Sequence, residues 1–166
     1  MRLCRFEHEA KFQIGFYDED FVIPMAAASD HTGIEIEDSS DLIAHLPGGT
    51  LRETVEAIQA RLANNMDEEL SELRLDTEAV KLLVPNPSPS KLLLLAGNYA
   101  KHIEEGGGRA SERNRTFPYV FMKPPGTTLT NPGDPIRIPE VSPDHVDWEL
   151  ELGVIIGKQC KGVAEA

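Results

Sequence analysis

Cysteine is almost absent from this chain of 166 residues: Cys4 and Cys160 are all there is. Two thiols so far apart form neither a disulfide framework nor a metal-binding pair, which excludes sulfur-ligated zinc. The reducing cytosol is therefore the expected compartment. Long apolar runs are missing too, and no stretch approaches the roughly 20 residues that a membrane-spanning helix needs. The first ten residues, MRLCRFEHEA, carry no apolar run behind their basic residues, against a signal peptide. A soluble, cytoplasmic protein is expected. Positive charge is scarce: 16 Lys and Arg stand against 28 Asp and Glu, a formal charge of −12. Nucleic acid and anionic membranes both call for a positive field, so neither is expected as a partner. There is no HExxH, no GxSxG, no internal repeat, and the triple glycine at 106–108 does not lead into GK[ST].

What is present suits a soluble globular protein able to bury a core, with 40% apolar and 27% charged residues. The length suggests one domain, or one and part of another. Residues 1–29 read as short strands. Phe12, Ile14 and Phe16 alternate with polar or small residues, and Asp18-Glu19-Asp20 turns the chain into Phe21-Val22-Ile23. Asp38-Ser39-Ser40-Asp41 caps a brief helix stopped by Pro47. After Gly48-Gly49, Thr50 and Glu53 have the spacing of a capping box. Leu51, Val55, Ile58 and Leu62 then share one helical face, closed at Asn64-Asn65. A second helical stretch spans about 67–73 with Leu70 and Leu73, and Met66 belongs with this apolar, core-forming set.

The run PNPSPS at 85–90 has prolines and serines without apolar periodicity, and marks a domain boundary. A small N-terminal α+β domain is expected over 1–85 and a second, mainly β, over 86–166. Lys91–Ala96 is a candidate buried strand ending at Gly97-Asn98-Tyr99. A helical turn with His102 and Glu105 follows, then a glycine-rich stretch with Arg109, Arg113 and Arg115. Strands resume at Tyr119–Lys123 and near Ile136–Ile138, separated by turns such as Asn131-Pro132-Gly133-Asp134.

The last stretch, HVDWELELGVIIG from His145 to Gly157, alternates with period two. Val146, Trp148, Leu150, Leu152 and Val154 fall on one face, and His145, Asp147, Glu149 and Glu151 on the other. Glu149 and Glu151 can lean together onto one hard cation, or simply form a charged, solvated face. His102 and Glu105, three apart, share one face of a helical turn. A carboxylate there orients an imidazole for general-base work, or the two form an ordinary surface pair. The triple glycine suits a hinge or a loose surface loop. Lys123 ends an apolar strand, where an unpaired lysine is costly, and is a candidate partner for a carboxylate or enolate. The arginines either draw in an anionic substrate or are merely solvated.

Three segments, LLLLAGNYAKHIEE, YVFMKPPGTTLTNPGDPIRIP and HVDWELELGVIIGK, occur in the order that resembles the fumarylacetoacetate hydrolase family. The resemblance covers about 80–163 and, more weakly, the small domain before it. It implies an α+β, mainly β fold in which the small domain leads into the first part of a mixed β-roll, in a homodimer. It implies that Glu149 and Glu151 ligate Mg²⁺ (or Mn²⁺ or Ca²⁺), that His102 and Glu105 form a catalytic dyad, and that Lys123 lies near the substrate. Tyr99, Arg109 and Lys123 are the implied substrate contacts. The implied activity is metal-dependent hydrolysis of a C–C bond in a 1,3-diketo or 2-oxo acid of acylpyruvate or fumarylacetoacetate type, a small anionic substrate. The alternatives are isomerase, decarboxylase or lyase action on 2-oxo or 2-hydroxy acids. A third is an inactive fragment or half of a split protein. Two departures stand out. Lys101 replaces an acid before the histidine, and the third carboxylate ligand of the family has no counterpart after Glu151. The chain thus resembles the front part of a member, cut within the catalytic domain.

Overall fold

A computed structural model describes residues 2–64, 67–110 and 119–164. Asn65, Met66, Arg113, Arg115 and Glu165 lie outside the described residues. The architecture is α+β. The described residues divide into two compact units, one of 1–86 with 130–166 and the other of 87–129.

The first unit is built on an antiparallel sheet of order β4-β3-β2-β1-β5: β1 (Arg2–His8), β2 (Lys11–Tyr17), β3 (Phe21–Pro24), β4 (Leu75–Asp76) and β5 (Lys81–Leu83). β1 and β2 are joined by Glu9-Ala10, both at positive φ (50° and 59°). Positive φ at both positions is what a two-residue hairpin needs to match the strand twist. Neither residue is a typical turn former, so composition gives no sign of this hairpin. In β2, Ile14 and Phe16 face one side, where with Ile23 they are nearly or fully buried. Gly15 faces the other side. A side chain there would come within 2.9 Å of Phe6 Cε1 and Val22 Cγ1, and within 2.6 Å of the Ile23 carbonyl. Phe6 and Val22 therefore occupy the space that Gly15 leaves open.

The core lies between the Ile14/Phe16/Ile23 face and helices α1 (Met25–Thr32), α2 (Leu42–His45) and α3 (Arg52–Leu62). α1 begins directly after β3 and stops at Gly33 in the left-handed conformation (φ 67°), a common way to end a helix. It replaces the short strands expected up to residue 29. α2 forms as expected, with the Asp41 carboxylate accepting from the Ile43 N–H at 3.0 Å. α3 buries Val55, Ile58 and Leu62 on the expected face. Its expected capping box does not form: the helix starts after Leu51 without a side-chain cap. The Leu51 N–H donates to the Ala44 carbonyl at 2.8 Å. α4 (Asp67–Ser71) follows and buries Leu70.

The turn at 131–134 is fastened to edge strand β5. The Val84 N–H donates to Asn131 Oδ1 at 3.0 Å, Asn131 Nδ2 donates to Asp134 Oδ2 at 2.8 Å, and Lys81 Nζ pairs with Asp134 Oδ1 at 2.8 Å. Further on, Gly157 passes so close to the Pro47 carbonyl that no Cβ would fit.

The second unit holds the antiparallel pair β6 (Leu92–Ala96) and β7 (Tyr119–Lys123), with Leu92 opposite Lys123 and Ala96 opposite Tyr119. α5 (Ala100–Glu105) and α6 (Pro125–Thr128) belong to it. β6 forms as expected but is not buried: Leu93 is 56% exposed, and every residue of β7 is exposed.

Two expected strands do not form. Residues 136–138 and 145–157 carry no regular structure. Strands, unlike helices, draw their hydrogen bonds from a neighbour, and among the described residues no strand pairs with either stretch. The alternation of 145–154 is intact in the sequence, but both of its faces are exposed, with Trp148 at 81% and Leu150 at 90%.

Candidate active site

α5 carries the acid-base candidates. It follows β6 through Gly97, whose positive φ (66°) turns the chain sharply. Tyr99 is the residue before the helix, and its carbonyl accepts from the Ile103 N–H at 3.1 Å. Ile103 is the half-buried member. Its side chain lies where a Cβ on Gly97 or Gly108 would meet it, within 3.8 Å and 2.8 Å respectively. Because Ile103 points toward these glycines, its neighbour His102 and Glu105 at the helix end are left exposed. The helix closes into the glycines, where Gly107 takes a positive φ of 79°. Arg109 follows, exposed.

Lys123 ends β7 opposite Leu92. The expected cost of a lysine on an apolar strand is not incurred, because the position is exposed. Tyr99, His102, Glu105, Arg109 and Lys123 thus all belong to the unit spanning 87–129. Glu149 and Glu151 belong to the other, on the exposed irregular stretch. Their carboxylates are hard oxygen donors of the kind Mg²⁺, Mn²⁺ or Ca²⁺ takes. Among the described residues, no group of three or more His, Cys, Asp or Glu is placed to hold an ion. The set fits a cation in kind, and fits a Mg²⁺-like ion that takes one or two carboxylates and fills its shell with water and substrate oxygens. It does not make a closed protein cage.

The second half of this α+β chain thus carries a histidine-glutamate helix, a strand-end lysine and a stretch with paired glutamates. The family model described as fumarylacetoacetate (FAA) hydrolase, C-terminal, matches residues 91–166. Over that segment the chain belongs to the fumarylacetoacetate hydrolase family. The mitochondrial oxaloacetate tautomerase fahd2 of Xenopus laevis is 31% identical over 143 residues, 82% of this chain and 43% of that protein. The 2,4-didehydro-3-deoxy-L-rhamnonate hydrolase of a Sphingomonas species is 30% identical over 165 residues, 99% of this chain and 47% of that one. The oxaloacetate tautomerase YisK of Bacillus subtilis is 37% identical over 100 residues, 60% and 32% of the two chains. The chain spans less than half the length of each of these relatives. No described helix is long and apolar enough to cross a membrane.

Proposed function

We propose that the protein acts on a small anionic 2-oxo acid by enolate chemistry, hydrolysing a C–C bond of a 1,3-diketo acid of acylpyruvate or fumarylacetoacetate type. One observation carries this reading. His102 and Glu105 share a turn of α5 within the segment that matches the family model. The similarity to a named hydrolase, extending over 99% of the chain, supports it.

In this reading His102, oriented by Glu105, takes a proton from water. The water oxygen bonds to the distal carbonyl carbon, the adjacent C–C bond breaks, and its electron pair passes to the oxo-acid fragment as an enolate. The Lys123 ammonium balances that charge. His102 returns the proton to the enolate carbon, releasing a carboxylic acid and an oxo acid, which is the 2-oxo acid pyruvate when the substrate is an acylpyruvate. Tyr99 and Arg109 contact the substrate. A divalent ion held by Glu149 and Glu151, Mg²⁺ foremost, supplies a Lewis acid for the oxo-acid oxygens when bound. Residues 1–85 act as an accessory domain to the β-roll begun by 86–166, in a homodimer.

The test is turnover of an acylpyruvate with Mg²⁺, read as release of pyruvate. His102→Ala should lower kcat by about 10²–10⁴-fold and leave Mg²⁺ affinity unchanged. Undiminished turnover in that variant would sink the reading. Two relatives named as oxaloacetate tautomerases favour a second one, in which the same groups only move a proton between enol and keto forms. Conversion of enol-oxaloacetate without release of a second product would select it.

A further inference from the structure

The proposed reaction leaves one cation beside its acid-base groups without a role. Ile103 lies toward Gly97 and Gly108, which fixes the side of α5 that is turned to them. On a helix of 3.6 residues per turn the opposite side carries Lys101 and Glu105, four apart, with His102 at its flank. All three are exposed. Lys101 is thus next to His102 in sequence and one turn from Glu105. Among the described residues no carboxylate lies within ion-pairing distance of its ammonium. An exposed lysine by itself means little, because most lysines are solvated. Two further observations single this one out. The first is charge. Residues 87–129 hold six of the chain's 16 Lys and Arg but only three of its 28 Asp and Glu, so this unit is net positive in a chain of formal charge −12. A local positive field draws in anions. The second is the order of groups along the substrate. In the reading above the oxo-acid end goes to Lys123 and the divalent ion, while His102 works at the distal carbonyl. A lysine adjoining His102, on its flexible four-carbon stem, reaches past that carbonyl to the group beyond it.

Resting on that reading, we propose that Lys101 is a specificity-determining residue: its ammonium holds a second carboxylate, on the acyl side of the bond that breaks. The substrate is then a dianion with a carboxylate at each end, and the carboxylic acid it releases is itself a dicarboxylic acid. A neutral acyl group leaves Lys101 in water. Selection is therefore by charge and not by the fit of an apolar pocket, which accords with the exposure of every group on this face of α5.

The experiment titrates the full chain, at fixed Mg²⁺, with 2-oxoglutarate and separately with 2-oxopentanoate, which match in chain length and differ in the distal carboxylate. The His102 imidazole C–H resonances report binding by NMR without any turnover. 2-Oxoglutarate should bind about fivefold more tightly, the scale of one exposed ion pair. The ratio should shrink toward one in about 0.5 M salt. Lys101→Gln should abolish the preference and Lys101→Arg should keep it, a rescue that a merely structural role would not give. A shift with neither probe would sink the oxo-acid reading, and this proposal with it. Equal affinities in the parent chain, or a preference that survives Lys101→Gln, would overturn this proposal alone.

Discussion

Cys4 shows how burial alone sets the chemistry of a side chain. Desolvation pushes its thiol up to about 12, only partly offset by its hydrogen bond with the Gly15 backbone. At pH 8 it should react with iodoacetamide on the order of a thousandfold more slowly than a thiol titrating near 9, whereas exposed Cys160 should label readily. Mass spectrometry of the alkylated peptides reads both. The linkage has a definite sign. The unfolded thiol ionises near its ordinary value of 9.0 and the folded one only near 12. Cys4 therefore leaves stability unchanged below about pH 9 and erodes it as pH rises from there toward 12. Urea midpoints at pH 8 and pH 10.5 should differ less in Cys4→Ala than in the parent chain. Gly15 constrains the same strand sterically. Gly15→Ala should cost about 1–3 kcal/mol by forcing Phe6, Val22 and the Ile23 carbonyl apart, measurable as a lower urea midpoint. Neither property is legible from a residue's identity, since both depend on what the fold places beside it.

Among the elements, helices were the more legible. The 3.6-residue spacing of Val55, Ile58 and Leu62 predicts the buried face of α3, and Ile58→Ala should cost about 2–5 kcal/mol in denaturant unfolding. Asp41 was legible as a cap because its partner lies two residues away. The capping box expected of Thr50 and Glu53 does not form, since the helix starts one residue later, with Leu51 at the cap position. Strands were less legible for a related reason. Alternation in 145–154 marks which side chains would share a face, but it says nothing about whether a neighbouring strand is present to receive the hydrogen bonds. The β1–β2 hairpin escaped from the opposite direction, since Glu9-Ala10 lacks the glycine or asparagine that announces such turns. The clasp between β5 and the 131–134 turn is polar and pH-sensitive. Its hydrogen bond to Lys81 lowers the Asp134 carboxyl, and the same bond raises the Lys81 ammonium. Asp134 contributes above its ordinary range near 3.8 and loses that contribution as pH falls through its lowered value. Lys81 contributes below 10.5 and loses it as pH rises through its raised value. The protection factor of the Val84 amide, its exchange rate relative to an unstructured amide at the same pH, should be highest between these limits and lower there in Asp134→Asn.

At the scale of the whole molecule, the order of chemically distinct segments was more legible than their conformation. The family membership of residues 91–166 follows from which residues occur and in what order. The division into units, with 130–166 grouped alongside 1–86, does not. Long-range grouping depends on contacts such as Asn131 with β5, which no local pattern announces. The candidate site residues are named from the sequence alone, while the grouping of Glu149 and Glu151 in a different unit from α5 is not legible there. Within 145–156 the apolar residues Val146, Trp148, Leu150, Leu152 and Val154 are exposed. Trp148, the sole tryptophan, samples that surface directly. In dilute solution its fluorescence should match free indole and be fully open to iodide. If the protein works as a homodimer, emission should move to the blue as concentration rises, in step with the sedimentation coefficient.

The close passage of Gly157 past Pro47 has a kinetic consequence. The two residues are roughly 110 positions apart, and closing so long a loop costs about 4 kcal/mol of chain entropy before any contact compensates for it. The terminal stretch should accordingly be the last part of its unit to dock during refolding and the first to detach under stress. Each cycle of detachment would leave the sheet and its helices standing.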